Sequence, residues 1–167
     1  MIKLIIFTLI AATGAFVGIS AADVLRKRRN TARRLHSLLI ELAVMIRYRG
    51  LDLFDIVQRL RNNAEFSSLG FICSMPSEYS PELDFHDEWK RSVETDSSLT
   101  SDMKQILNEL GSSLGTSDVD GQISVIDAAS EKMTVLEKQL EAEYADKSRL
   151  YRSTGILLGI MTGIIFI

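Results

Sequence analysis

The stretch ILNELGSSLGTSDVDGQI, Ile106 to Ile123, decides the fold. Its first part closes a leucine-rich helix that begins near Asp102 and turns Met103, Ile106, Leu107 and Leu110 inward. Two glycines follow at a spacing suited to a tight turn. Gly111, and especially Gly115, can take the left-handed conformation of a helix C-cap, which costs glycine nothing because it has no Cβ. Ser117 is then placed to cap a new helix, with Asp120 three residues on to bond back or to complement the helix dipole. The new helix carries Ile123, Ile126, Met133, Leu136, Leu140 and Tyr144 at near-heptad steps and meets no breaker before Gly155. Run on to the C-terminus it would be about 70 Å long. Helix, glycine turn and very long helix read as part of an all-α bundle closed by long helices that enter the membrane.

The same periods appear upstream. Leu35, Leu38, Leu39, Leu42, Met45 and Ile46 form an amphipathic helical stripe, with Arg33, Glu41 and Arg47 off it. Gly50 stops that helix. Asp52 offers an N-cap with Asp55 at the capping-box position, and Leu53, Ile56, Val57 and Leu60 give the next helix its apolar face. A short apolar segment at Phe66, Leu69, Phe71 and Ile72 precedes the chain's two prolines, Pro76 and Pro81, which bound a linker that cannot be helical throughout. Phe85, Trp89 and Val93 mark one more short helix. With 46% apolar and 25% charged residues over 167, the composition fits a folded all-α protein.

Both ends are apolar. Leu4 to Ala22 is a 19-residue run without charge, about 28 Å as a helix and close to the ~30 Å hydrocarbon core of a bilayer. Lys3 precedes it, and Arg26-Lys27-Arg28-Arg29, then Arg33 and Arg34, follow it. A cleaved signal peptide ending at Ser20-Ala21-Ala22 is the rival reading, opposed by the length of the run and by the dense positive charge after it. Thr154 to Ile167 is uncharged for 14 residues and repeats glycine at 155, 159 and 163, a pattern by which membrane helices approach closely. It is short for a span; Arg149 and Arg152 can snorkel to compensate.

Charge follows the same division. Residues 23–61 hold ten Arg or Lys against four acids, residues 62–146 five against eighteen, and residues 147–152 three against none. Positive charge on the inner side of both apolar ends favours a cytosolic middle. The expected architecture is a cytosolic helical bundle between two transmembrane helices: 1–22 an N-terminal span, 23–153 the α-helical domain, 154–167 a short C-terminal span.

The turn text resembles a known family. Leu110-Gly111-Ser-Ser-Leu114-Gly115-Thr-Ser117-Asp118, then Gln122, is similar to the stage III sporulation protein AB family of endospore-forming bacteria. So are the Lys-Ser-Arg-Leu-Tyr-Arg approach to the last apolar segment (Lys147 to Arg152) and the short N-terminal anchor followed by arginines. The resemblance extends over the whole architecture and is specific in residue detail from about Ile106 to Gly159. It implies a likeness to the cytosolic domains of the type II secretion and type IV pilus inner-membrane platform protein. It also implies membership of a secretion-like assembly between mother cell and forespore. The implied partners are other stage III sporulation proteins, including a secretion-type ATPase, and the implied location is the mother-cell membrane facing the forespore. It implies no catalytic residues.

The residues offer little chemistry of their own. One cysteine, Cys73, excludes an internal disulfide, and beside Phe71 and Ile72 it reads as a buried small hydrophobe. His86-Asp87-Glu88 are adjacent, about 100° apart on a helix, and cannot converge on one ion. Gly111 to Gly115 lacks the lysine of a phosphate loop and follows a helix. Glu137, Glu141, Glu143 and Asp146 read as a solvated helix face, and no aromatics interleave with the arginine run as nucleic-acid binding would favour. No cofactor, metal, nucleic acid or small-molecule substrate is therefore expected, and membrane lipid is. The residues singled out are the turn motif (Gly111, Leu114, Gly115, Ser117, Asp118, Gln122) and the topology signal (Arg26, Lys27, Arg28, Arg29, Arg149, Arg152). A membrane-tethered helical sensor or regulator is the alternative to a scaffold.

Overall fold

A computed structural model describes the backbone of residues 2–76, 80 and 82–165, and the side chains of 16, 19–48, 50–76, 80, 82–150, 153, 154, 157 and 161. Among the described residues there are six helices and no strand: α1 (Ile2–Arg49), α2 (Leu53–Asn62), α3 (Gly70–Ser74), α4 (Phe85–Thr95), α5 (Ser101–Gly111) and α6 (Val119–Ile165). The chain forms two compact units, Asn30–Glu137 and Met1–Arg29 with Lys138–Ile167.

In the unit Asn30–Glu137 each short helix is held at its ends by polar bonds. Gly50, at φ +53, ends α1 by turning the chain into the left-handed region. Asp52 caps α2, its Oδ1 accepting from the Phe54 amide at 2.9 Å. Asp84 caps α4, accepting from the amides of His86 and Asp87. Thr100 caps α5 by accepting from the Met103 amide, so that helix starts ahead of Asp102, which sits in its first turn. The five-residue α3 has Leu69 at its N-cap, which offers no side-chain acceptor. Its cap comes from a distant position: Asp96, just past the end of α4, accepts from the Phe71 amide at 2.8 Å. Gly70 leaves room for that carboxylate, since a Cβ there would lie 2.9 Å from Asp96 Oδ2. At the other end of α3 the Arg61 guanidinium donates to the carbonyls of Cys73 and Met75. A cation at a helix C-terminus satisfies orphan carbonyls and complements the dipole.

The core of this unit is centred on Trp89, buried to 1% exposure. Its ring meets Phe71 edge-on at 5.5 Å and Phe85 at 5.7 Å, and Phe85 in turn meets Phe54 edge-on at 5.6 Å. Edge-to-face contacts of this kind add to area burial because the positive ring edge meets a negative face. The indole Nε1–H donates to the Leu107 carbonyl at 2.8 Å, so its one polar group is satisfied. The α1 stripe (Leu35, Leu38, Leu39, Leu42, Met45, Ile46) is buried, as are Ile123, Ile126, Met133 and Leu136 of α6. Gly111 is helical rather than left-handed. What its place demands is the absence of a side chain, because a Cβ would overlap Cδ1 and Nε1 of Trp89.

In the other unit, Ala22 and Leu25 of α1 are buried, while Arg29 Nη1 reaches Glu141 Oε1 of α6 at 3.2 Å. The Arg29 guanidinium also lies 4.4 Å over the ring of Tyr144, a cation–π contact. Phe16, Ile19, Val24, Leu150, Leu157 and Met161 are exposed. Among the described residues no helix is long and apolar enough to cross a membrane. The side chains of the first expected span through residue 15, and at 17 and 18, lie outside the described residues. So do Arg152 and most side chains of the segment 154–167, and positions 77–79 and 81 of the expected linker.

Gly111→Ala should therefore destabilise the bundle by about 1–3 kcal/mol, the usual cost of forcing extra carbon into a packed core. Thermal unfolding of the full-length protein in detergent, followed by the emission of Trp89, the single tryptophan, should show a lower midpoint and a red-shifted folded baseline. A variant with both unchanged would rule out the close approach.

Candidate functional site

The turn between α5 and α6 is built from its own polar groups. Ser113 and Leu114 amides donate to the Leu110 carbonyl at 3.0 and 3.1 Å, finishing α5. Leu114 is fully buried and pins the turn to the core. Gly115 then takes φ +75, a region that L side chains rarely adopt. Gln122, one turn into α6, bridges the turn with one amide group. Its Oε1 accepts from the Gly115 N–H at 3.1 Å and its Nε2 donates to the Ser117 carbonyl at 3.0 Å. The N-cap of α6 is Asp118, not Ser117. Asp118 Oδ1 accepts from the Gly121 amide at 3.0 Å, while the Ser117 hydroxyl turns to the Asp118 carbonyl. A carboxylate accepts the orphan amide of the third helical residue and also complements the dipole, which a hydroxyl does not. All of the turn-motif residues except Gly111 thus take part in one structure. Gly111 belongs to the Trp89 contact.

Beside this turn lies an open cleft of about 380 Å³, lined by Ile46, Gly50, Leu51, Asp52, Leu53, Gly115, Val119 and Gln122. Its one titratable wall residue, Asp52, is engaged in capping α2. The cleft carries no nucleophile and no cluster of acid and base. Among the described residues no group of three or more His, Cys, Asp or Glu is placed to hold a metal ion.

His86, Glu88, Cys73 and three acids of α6 have structural partners. His86 Nδ1 lies 2.7 Å from the Gly111 carbonyl, and the buried Glu88 pairs with Arg91. Cys73 is exposed rather than buried. In a five-residue helix Phe71 and Ile72 take the inward face, which leaves the next position pointing out, and its Sγ reaches the Ser67 carbonyl at 3.3 Å. Of the α6 acids read as a solvated face, Glu137, Glu141 and Glu143 are paired and Asp146 is exposed. Glu137 accepts from Arg33 at 3.1 Å and lies 3.3 Å from His36, whose other ring nitrogen is 3.3 Å from Thr134 Oγ1. Glu141 pairs with Arg29, and Glu143 with Lys147. Between α5 and α6, the Lys132 ammonium and the Gln105 amide donate to Glu109 and hold its carboxyl below the usual carboxylate range. That pair favours the folded chain above the ordinary carboxylate pKa and ceases to as acid protonates the folded-state carboxyl. Among the described topology residues, Arg26, Lys27, Arg28 and Arg149 are exposed and Arg29 is drawn inward.

Sequence reasoning missed the Asp96 cap, the Arg61 clamp and the Trp89–Gly111 contact. Each joins residues far apart in the chain. The one available signal was Gly111 sitting inside a helical pattern where alanine would serve better.

Gly115→Val should cost more than about 1 kcal/mol, from backbone strain at positive φ and from crowding of Leu53, whose Cδ1 lies 3.0 Å from where a Cβ would stand. Gln122→Ala should cost about 0.5–1.5 kcal/mol, since the groups it leaves are solvent-accessible. Denaturant midpoints of the two variants check the order; Gln122→Ala as the worse would mean that Gly115 is not strained.

Residues 3–167 match the family described as Stage III sporulation protein AB. No curated protein and no solved structure matches the chain. The match takes in the glycine turn, the basic flanks and both apolar ends together, and the chain belongs to the stage III sporulation protein AB family.

Proposed function

We propose that this protein is a non-enzymatic, membrane-anchored scaffold within a secretion-like channel complex between mother cell and forespore. The observation that carries the proposal is the match to a stage III sporulation family over residues 3–167. The polar groups of the bundle support it. Glu88, Asp96, Asp118, Glu137 and Gln122 are engaged in caps, ion pairs and turn bonds, which leaves little for substrate chemistry. The sensor alternative calls for a ligand pocket, and the shallow cleft at Gly115 offers no charged anchor beyond the capping Asp52.

Hydropathy and charge supply the topology. The apolar runs 4–22 and 154–167 serve as anchors, with residues 23–153 in the cytosol and both termini outside; the stage III sporulation family is the ground for placing the protein in the mother-cell membrane facing the forespore. The expected partners are the other stage III sporulation proteins, among them a secretion-type ATPase, together with membrane lipid. Neither nucleic acid nor a small-molecule substrate is needed.

A thiol-labelling experiment tests the arrangement. Cys73 is the only thiol and is exposed, so Cys73→Ser is the necessary background. One variant carries Ser97→Cys, at an exposed position, and another a cysteine added after Ile167. In intact protoplasts a membrane-impermeant maleimide should label the C-terminal site at once and residue 97 only after lysis. Labelling at 97 in intact cells would place the bundle outside and defeat the scaffold topology. Affinity purification from sporulating membranes should recover other stage III proteins. Micromolar binding of ATP, zinc or DNA by the full-length protein at physiological salt would instead favour an enzyme or a nucleic-acid protein.

A further inference from the structure

Arg26, Lys27, Arg28 and Arg29 are alike in sequence and unlike in structure. Ala22, Leu25 and Arg29 fall at three- and four-residue steps, so Arg29 lies on the same face of α1 as two buried side chains. Its side chain is 18% exposed and is committed to Glu141 and the face of Tyr144. Arg26, Lys27 and Arg28 stand on the exposed side, and so does Arg149 on α6. Among the described residues these four cations make no ion pair and no side-chain hydrogen bond. Asp23 and Asp146 are the acids nearest to them in sequence, and four cations against these two leave the cluster net positive.

Two further facts limit what such a cluster can bind. Arg26 to Arg28 lie within three residues of Arg29, and Arg149 lies five residues beyond Tyr144. Because Arg29 touches Tyr144, the two groups of cations are within about 12 Å of one another along the helix axes. Toward the helix ends, the exposed large side chains among the described residues are apolar, Phe16 and Ile19 on α1 and Leu150, Leu157 and Met161 on α6, with the small polar Ser20, Ser153 and Thr154 exposed among them. A free phosphate would satisfy the cations and leave that surface in water. An acidic protein would meet the charge and gain nothing from the neighbouring apolar side chains unless it too were buried in lipid. A molecule with an anionic head and acyl tails satisfies both.

We infer that Arg26, Lys27, Arg28 and Arg149 form a collar selective for anionic phospholipid headgroups, from which Arg29 is withdrawn to clasp α6. The inference rests on the membrane-anchored reading and adds to it a choice of lipid and a division of labour among the arginines. Arg29 pairs the two helices and takes no part in lipid binding; the other four cations are the binding residues.

The test uses the full-length protein in a non-ionic detergent, offered equal phosphatidylglycerol and phosphatidylcholine with the same acyl chains, with bound lipids counted by native mass spectrometry. Phosphatidylglycerol should be enriched at least about fivefold, the effect of a single well-placed cation at a membrane surface. The quadruple variant Arg26→Gln, Lys27→Gln, Arg28→Gln, Arg149→Gln should fall to near-equal binding, while Arg29→Gln should keep the preference. Equal binding by the wild type, or a preference retained by the quadruple variant, overturns the collar. The double variants Arg26→Gln/Lys27→Gln and Arg28→Gln/Arg149→Gln, checked by Trp89 emission, should each lose part of the preference, and full retention in both would also overturn it. Alkaline extraction from vesicles reads the anchor separately. Wild-type protein that resists extraction yet shows no lipid preference refutes the collar and leaves the anchor standing, whereas protein released by alkali refutes the anchor and the collar with it.

Discussion

The bundle depends on the contact between the Trp89 indole and the bare backbone of Gly111. The ring fills the space that a side chain at 111 would need, and its N–H closes on the Leu107 carbonyl one turn earlier. One side chain of α4 thereby lies against the last turn of α5. A buried indole has few ways to satisfy its single donor, so bond and steric fit together set both the axial position and the rotation of α5 against α4. The rest follows from where α5 ends. Leu114 enters the core directly after it, Gly115 reverses the chain, and Asp118 starts α6.

Around that contact the short helices are too small to hold themselves. Isolated helices of five to eleven residues are marginal in water because nucleation is costly. Here α2, α3, α4 and α5 are 10, 5, 11 and 11 residues long. Their free ends are bonded by neighbours: Asp96 caps α3 from beyond α4, Arg61 of α2 takes the carbonyls at its far end, and Lys104 of α5 donates to the Glu94 carbonyl near the end of α4 at 2.6 Å. These bonds answer orphan groups of α3 and α4 with groups from outside each helix, so both depend on their neighbours. The exposed ion pairs between long helices, such as Arg33 with Glu137, contribute little energy and mainly choose a register.

What could be read from the sequence was whatever depends on local period. The Leu35–Ile46 stripe, the helices about Phe85 and Met103, the stop at Gly50 and the left-handed Gly115 all stand where the periodicity and the glycines put them. Cap identity was less legible. Ser117 and Asp118 are both good N-caps and adjacent, and only the folded chain shows that Asp118 faces the first amides of α6. The trans caps were not legible at all, because an aspartate at 96 looks like any other end of a helix until α3 is folded against it. Gly111 matters for the space it leaves to Trp89, not for a left-handed turn. A glycine in a helix can signal either a turn or a neighbour that needs its space, and a sequence holds no record of the neighbour.

The arginines after the first apolar run carry the same lesson into function. Counted as charge, Arg26, Lys27, Arg28 and Arg29 are four equivalent votes for one side of a membrane. Placed on a helix they separate, because successive side chains point about 100° apart. The inward direction at this level is set by Ala22 and Leu25, both buried, and position 29 is the next to share it. An arginine there must find an anion and a surface for its planar group, and α6 supplies both in Glu141 and Tyr144, three residues apart on one face. A lysine at 29 would keep the charge but lose the flat guanidinium that stacks on the ring. The cation at 29 is therefore part of how α1 and α6 pair, and the cations at 26, 27 and 28 remain available to whatever surrounds the helices.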